Sequence, residues 1–129
     1  MKESRAMLIR GSELRVEESD SSFSRLLRQH KDRVRRDVFT LLASDATDSG
    51  RLYAGYTIVY PHCSTRGHAH ADREEVYYFV RGRGIMQVDG QEMEVSAGDT
   101  LYLQPGPHHT TRNPNDLPLE FFWITCNIR

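Results

Sequence analysis

Residues 67–82 contain the feature that most constrains this chain: two histidines one residue apart, followed by a carboxylate and then a glycine. The histidines are His68 and His70, the carboxylate is Glu75, and the glycine is Gly82. In a β-strand, side chains two residues apart leave the same face, so both imidazoles point the same way. Glu75 lies an odd number of residues after His70, so the chain between them has to turn or bulge. Two imidazoles and a carboxylate brought together indicate a metal site.

A third histidine follows a sharp corner later in the chain. Gly106 and its two flanking prolines form the corner, and the strand after it carries both His108 and His109. Strand alternation lets one of these neighbours face inward, and the residue pattern leaves the choice open. Three imidazoles and one carboxylate form a mixed nitrogen and oxygen set that suits iron, manganese, nickel, cobalt or zinc. An open position on such an ion can polarise a carbonyl or hydroxyl, activate water or bind dioxygen.

Length and charge set the broad class of protein. The 129 residues are enough for one domain with one core. The formal net charge is -1 at pH 7, so neither nucleic acid nor an anionic membrane is indicated as a partner. The apolar run 52–61 is far too short to span a bilayer, and residues 1–13 lack the apolar core of a secretory signal. We therefore expect a cytoplasmic protein, with Cys63 and Cys126 as reduced and mostly buried thiols.

Short apolar runs separated by glycine and proline dominate the chain after residue 37. We expect strands at 38–42, 52–60, 76–80, 85–88, 91–95, 100–103, 108–112 and 119–128. The dipeptide Asp89-Gly90 is a type I′ turn signal and predicts a hairpin. Strands at roughly ten-residue spacing with such turns predict an antiparallel sandwich or a small barrel.

The strand that follows Glu75 is apolar on both faces. If Glu75 points inward, then Val76, Tyr78 and Val80 point outward. A solvated sheet face alternates apolar with polar residues, so this outer face needs cover from an N-terminal helix or a second subunit. We therefore predict a homodimer with one sheet at its interface.

The chain divides into an N-terminal extension, 1–37, and a β domain, 38–129. Short strands are expected at 7–9 and 14–16, and an amphipathic helix over 23–36. The helical spacing is carried by Phe23, Leu26, Leu27, His30 and Val34. Six basic residues on the other helix face indicate a phosphate-binding patch or, as the neutral overall charge favours, a solvated surface. His30 is expected to be a packed residue rather than a ligand.

Two motifs in this chain resemble those of the cupin superfamily, and the resemblance covers about residues 52–125. Positions of the first motif, G-x5-H-x-H-x3,4-E-x6-G, are filled by His68, His70, Glu75 and Gly82. Positions of the second motif, G-x5-P-x-G-x2-H-x3-N, are filled by Gly98, Gly106, His109 and Asn113. The chain departs at two positions, since His62 replaces the leading glycine and Gln104 replaces the proline. The first departure requires a turn made by a non-glycine residue.

The resemblance implies an all-β fold, the double-stranded β-helix or cupin jelly-roll barrel, with an N-terminal strand and helix extension. Motif spacing selects His109 over His108 and Glu75 over Glu74. The resemblance thus implies one divalent transition-metal ion per chain (Fe, Mn, Ni, Co or Zn), bound by His68, His70, Glu75 and His109. It is specific for fold and metal binding, and it does not identify a reaction.

Three functions remain open for such a metal centre. The first is a metal-dependent enzyme acting on a small oxygenated substrate, such as a sugar or sugar-acid isomerase. Residues 64–70 and 75–78 resemble the cupin-type phosphoglucose isomerases of archaea. The second is an iron-dependent dioxygenase, which the ligand set permits equally. The third is a non-catalytic module that binds a metal or a sugar.

Glu75 and Tyr77 are the candidate catalytic residues. In an enediol mechanism, the resemblance makes Glu75 both a metal ligand and the base. The expected walls around the metal are Tyr56, Tyr77, Phe79 and Tyr102. One tyrosine could move a proton, although core packing is the expected role of each. His62 and His108 could extend the mouth of the pocket, but we expect exposed loop histidines without a role.

Overall fold

The computed structural model describes residues 6–10, 13, 19, 22–29 and 33–128. The elements in these residues are α1 (Phe23–Gln29), β1 (Arg33–Val34), β2 (Arg36–Leu42), a 3-10 turn (Ser44–Ala46), β3 (Leu52–Val59), β4 (Cys63–Ser64), β5 (Arg73–Arg81), β6 (Arg83–Val88), β7 (Gln91–Ser96), β8 (Thr100–Leu103), β9 (His109–Arg112) and β10 (Leu119–Asn127). The strands form two five-stranded sheets, ordered β1-β4-β9-β6-β7 and β2-β3-β10-β5-β8. The fold is the predicted all-β jelly roll.

The core lies between the inner faces of the two sheets. Alternate residues of β5 face inward, where Phe79 is fully buried and Tyr77 nearly so. Phe121 of β10 stacks on Tyr77 with ring centroids 5.1 Å apart. Val59 of β3, Met86 of β6 and Leu119 of β10 are the other fully buried members of this cluster. This packing gives the inner face of β5 a rigid support.

The hairpin predicted at Asp89-Gly90 is present in the structure. β6 and β7 are joined by Asp89 and Gly90, whose φ angles of 49° and 81° are both positive, as a type I′ turn requires. His62, which stands at the leading glycine position, also adopts a positive φ of 62°. The prediction that a non-glycine residue makes this turn is therefore confirmed.

The helix predicted over 23–36 is wrong from Arg33 onward. Residues 33–34 and 36–42 are strands instead, in which β1 pairs in parallel with β4 and β2 pairs antiparallel with β3. Sheet pairing overrides the helical spacing of the apolar residues, because helix propensity is a weak preference that tertiary contacts outweigh. The N-terminal region thus contributes an edge strand to each sheet.

Helix α1 packs through Leu27, which is buried, and through Phe23, whose ring meets the Tyr60 ring edge-on. Residues 6–10 have no regular secondary structure, in place of the strand predicted at 7–9. The strand predicted at 14–16 and the packed His30 lie outside the described residues. No helix in the described part of the chain is long and apolar enough to cross a membrane.

Candidate metal centre

The four residues predicted as metal ligands lie close together between the sheets. His68, His70, Glu75 and His109 each offer one ligand atom, and these atoms all lie within 4.8 Å of one another. β5 places Glu75 on its inner face, and β9 begins at His109. The His68 N–H donates to the His109 carbonyl at 3.2 Å, and the His109 N–H donates to the His68 carbonyl at 2.9 Å. This bridge joins the loop that carries the first histidine to the strand that carries the third.

Backbone contacts orient the imidazole rings. His68 Nδ1 lies 3.2 Å from the Arg66 carbonyl, and His109 Nδ1 lies 3.3 Å from the Pro107 carbonyl. A carbonyl only accepts, so both Nδ1 atoms carry the proton and leave Nε2 able to bind a metal. The Gly106 N–H donates to the carbonyl of His70 at 2.7 Å, which holds the first histidine loop against the later corner.

Two buried acceptors face each other inside this group. Glu75 Oε2 and His109 Nε2 are 3.4 Å apart, and neither has a hydrogen-bond partner among the described residues. Buried polar atoms in proteins are nearly always bonded, so an acceptor facing an acceptor calls for a cation between them. Two ligand atoms that each lie about 2.1 Å from one metal ion are roughly 3–4 Å from each other. The 3.4 Å separation of these two atoms therefore fits a divalent transition metal.

The charge state of the histidines suits metal binding. Burial lowers the pKa of His68, and the neighbouring His109 lowers it further. Burial also lowers the pKa of His70, with the Arg73 guanidinium as the next cause. Both imidazoles are therefore neutral at pH 7, which is the form that coordinates a metal.

Tyr77 stands directly behind the carboxylate. Burial raises the pKa of Tyr77 well above its usual value, and the Glu75 carboxylate beside the hydroxyl adds to the shift. Tyr77 is therefore protonated throughout the neutral range and is a hydrogen-bond donor for Glu75. A ligand carboxylate supported in this way keeps its orientation when the metal exchanges.

A cavity of about 210 Å³ lies between the two sheets and is lined by three of the four residues, His68, His70 and Glu75. Its hydroxyl groups come from Thr57, Thr65, Thr111 and Thr125. Its aromatic walls are Tyr53, Tyr77, Phe121 and Trp123. Its charged residues are Arg36, Arg73 and Glu75. The cavity is therefore a polar pocket with an aromatic side and a positive balance of charge.

Two of the predicted wall residues face away from the cavity. Tyr56 lies on the outer face of β3, where its hydroxyl donates to Glu120 at 2.9 Å. Tyr102 is 56% exposed on the outer face of β8, and its hydroxyl donates to Glu74 at 2.7 Å. In each strand, the tyrosine occupies one of the alternate positions whose side chains point outward. Phe79 faces inward, but it belongs to the core beneath the cavity.

The wall that sequence reasoning missed is built on a glycine. Trp123 of β10 pairs with Gly55 of β3, and a Cβ at Gly55 would lie 2.1 Å from the indole Cζ2. The indole stacks on Tyr53 at 5.5 Å, and its Nε1 donates to Thr57 Oγ1 at 2.9 Å. A glycine inside a strand pattern marks a close approach of this kind, and it was the available signal.

The other two histidines of the described residues, His62 and His108, do not line the cavity. His62 Nε2 lies 2.7 Å from Asp116 Oδ1. The His108 ring packs against Gly67, and the His108 N–H donates to Asp89 Oδ1 at 2.9 Å. His108 is exposed, whereas its neighbour His109 is buried.

Comparison with known proteins identifies relatives across the whole β domain. The sequence model of the cupin domain matches residues 55–125, which is more than half of the chain. An oxalate-binding protein of Thermotoga maritima is 30% identical over 125 residues, covering 96% of this chain and 97% of that protein. A glucose-6-phosphate isomerase of Thermococcus onnurineus is 30% identical over 118 residues, covering 81% of this chain and 60% of the isomerase.

The crystal structure of a predicted oxalate decarboxylase from Thermotoga maritima has the same fold. It superposes with a TM-score of 0.67 at 24% identity, covering 71% of this chain and 80% of that chain. The chain spans less than two thirds of the isomerase, and it spans 42% of an uncharacterized protein of Methanocaldococcus jannaschii that is 42% identical over 53 residues.

Proposed function

The chain belongs to the cupin family, and on that premise we propose that it binds one divalent transition-metal ion and acts on a small oxygenated substrate at that ion. The ligands are His68, His70, Glu75 and His109. The observation that carries the proposal is the buried pair of acceptors, Glu75 Oε2 and His109 Nε2, 3.4 Å apart and unpartnered among the described residues. A divalent cation between them would satisfy both atoms at once.

The size of the cavity limits the substrate. Water occupies about 30 Å³ per molecule in the liquid, so the cavity of about 210 Å³ has space for on the order of seven waters. A hydroxy-ketone, a hydroxy-acid or a dicarboxylate of two to four carbons fits this space and offers two oxygens to a metal. The similarity to an oxalate-binding protein supports a ligand of this size.

A bound divalent ion would supply a Lewis acid that polarises a carbonyl or hydroxyl oxygen. The protein's own residues would position and protonate the substrate. Glu75 is the candidate base, and Tyr77, which is protonated at neutral pH, is the candidate to hold that carboxylate and to move a proton. Trp123 and Tyr53 would close one side of the site against water.

Two functions are supported by different relatives. The similarity to a glucose-6-phosphate isomerase supports an aldose–ketose or sugar-acid isomerisation. The similarity to an oxalate-binding protein supports ligand binding without turnover. An iron-dependent dioxygenase uses the same ligand types, and oxygen consumption after anaerobic iron loading is the assay for it.

Metal analysis of protein purified without added metal tests the proposal. We expect one equivalent of Fe, Mn, Ni, Co or Zn per chain, and its loss in His109→Ala. Turnover assays then separate the reactions: aldose–ketose conversion without oxygen identifies an isomerase, and tight binding without turnover identifies a binding module. A folded wild-type protein that neither carries nor takes up a divalent ion would refute the metal centre.

We also propose that the chain forms a homodimer through the outer face of the sheet β2-β3-β10-β5-β8. Exposed apolar side chains lie on three strands of this face, β2, β10 and β5: Phe39, Ile124, Val76, Tyr78 and Val80. Helix α1 leaves them exposed, so a second copy of the sheet is the cover that we propose. A face this apolar, spread over several strands, is typical of a subunit interface.

Light scattering coupled to size-exclusion chromatography tests the dimer. The wild-type protein should have twice the chain mass, and Val76→Lys or Tyr78→Lys should have the mass of one chain. Gln91→Lys, on the exposed edge of the other sheet, is the matched control and should remain dimeric. A monomeric wild-type protein at micromolar concentration would refute the interface.

A further inference from the structure

We propose that the substrate of the metal centre is a small carboxylate anion received by two arginines, Arg36 and Arg73. This inference rests on the proposed metal function and names the chemical class of its ligand. Arg36 belongs to the edge strand β2, and Arg73 is the first residue of β5. Both residues line the cavity that three of the candidate metal ligands, His68, His70 and Glu75, also line.

The residues that line the cavity have an excess of positive charge. Among the described residues that line it, Glu75 is the one carboxylate, opposed by the Arg36 and Arg73 guanidiniums. With the histidines neutral, a bound divalent ion and the two arginines outweigh Glu75 by three elementary charges. A neutral polyol would leave this excess uncompensated in a partly enclosed space, whereas a dianion neutralises most of it.

Neither arginine has a side-chain hydrogen bond to another described residue. Arg73 Nε is buried and has no hydrogen-bond partner among the described residues. Its distance of 3.9 Å to Asp72 Oδ1 is too long for a hydrogen bond, and the Asp72 side chain is 60% exposed. A buried donor that lacks an acceptor is costly, so Arg73 is poised for an acceptor that arrives with the ligand.

Three of the other described arginines are paired with carboxylates. Arg28, Arg81 and Arg112 each lie within 3.4 Å of a carboxylate oxygen. Arg36 has neither an ion pair nor a side-chain hydrogen bond to any residue in the described ranges, although it stands at the rim of the cavity. The fork of a guanidinium matches the two oxygens of a carboxylate. We therefore assign the metal to one end of the ligand and the arginines to its remaining carboxylate oxygens.

Binding of oxalate to the Zn²⁺-loaded full chain tests the assignment. Trp123 is the only tryptophan of the chain and lines the cavity, so its fluorescence reports the titration. Arg36→Gln and Arg73→Gln should each weaken oxalate binding about 10- to 100-fold, the usual effect of losing a charged hydrogen bond. Arg83→Gln makes the same change of charge on the exposed surface of the other sheet and should bind oxalate like the wild type.

Bound zinc, measured in every sample, separates the possible failures. Absence of zinc from the wild-type protein would overturn the proposed function, and the arginine assignment with it. Full zinc occupancy with unchanged oxalate affinity in both variants would overturn the arginine assignment alone. Equal affinity for neutral dihydroxyacetone would overturn the anionic class, and equal competition by inorganic phosphate would overturn the carboxylate. Arg36 is exposed, so its variant keeps the test decisive if Arg73→Gln fails to fold.

Discussion

Replacement of His109 by alanine should remove the metal, whereas replacement of its neighbour His108 should not. His109 is 3% exposed, and its Nε2 faces Glu75 Oε2 at 3.4 Å. His108 is exposed, and its ring packs on Gly67 outside the cavity. The two variants remove the same side chain from adjacent positions, so they differ mainly in the access of each ring to the candidate site.

The expected size of the effect follows from the number of ligands. Four-ligand protein sites bind zinc with about 10–16 kcal/mol, or roughly 3 kcal/mol per ligand, so the loss of His109 should weaken binding about 100-fold. At a metal concentration 100 times the wild-type Kd, the metal stabilises the wild type by about 2.7 kcal/mol and the variant by about 0.4 kcal/mol. At about 4 °C per kcal/mol for a domain of this size, the metal-dependent rise in Tm should fall from about 10 °C to about 2 °C.

Thermal unfolding with and without Zn²⁺ measures this difference. Because each variant is compared with its own metal-free form, any loss of packing at position 109 cancels. His108→Ala should retain the full metal-dependent rise. An equal reduction in both variants, or an undiminished rise in His109→Ala, would refute the choice of His109 as the third imidazole ligand.

Three further predictions follow from buried contacts. Burial lowers the pKa values of His68 and His70 below 6.5, so metal content should hold at pH 7 and fall below about pH 6, where protons compete for the imidazoles; content that is flat down to about pH 5 would contradict this. Gly55→Ala should displace the Trp123 indole, shift its fluorescence and destabilise the fold by about 1–3 kcal/mol, since the new Cβ would lie 2.1 Å from the ring; an unchanged spectrum would speak against the contact. Asn113 is fully buried, and its side chain bonds two backbone carbonyls and one backbone N–H, so Asn113→Ala should lower the free energy of unfolding in urea by about 2–4 kcal/mol; a loss below about 1 kcal/mol would contradict that role.

Features set by local chemistry were predictable from the sequence. The hairpin at Asp89 and Gly90 needs two positive φ angles, which this dipeptide tolerates. Motif spacing selected His109 over His108, and the structure buries the former and exposes the latter. Side chains alternate between the two faces of a strand, and Glu75 lies five residues after His70. The chain therefore has to bend between them to bring both side chains to one site.

Features set by distant pairing were not predictable. Tyr56 was expected to line the metal site, but it lies with Ile58 on the outer face of β3. Both faces of this strand carry apolar residues, so periodicity cannot say which one points inward. Which face of β3 points inward depends on its pairing with β10, whose Trp123 lies over Gly55. The helix predicted over 23–36 failed for the same reason, because its second half pairs with strands far along the chain.

The site is held together by contacts that do not require a metal. The His68–His109 bridge, the Gly106 N–H on the His70 carbonyl and the packed inner face of β5 all exist between protein atoms alone. Metal binding should therefore fill a preformed site rather than drive folding, in contrast to zinc fingers, which unfold without their ion. Far-UV circular dichroism of the chelator-treated protein should keep its strand signal, and the bridge amides should remain protected from hydrogen exchange. A cooperative loss of strand signal on chelation would show instead that the four ligands are assembled by the ion itself.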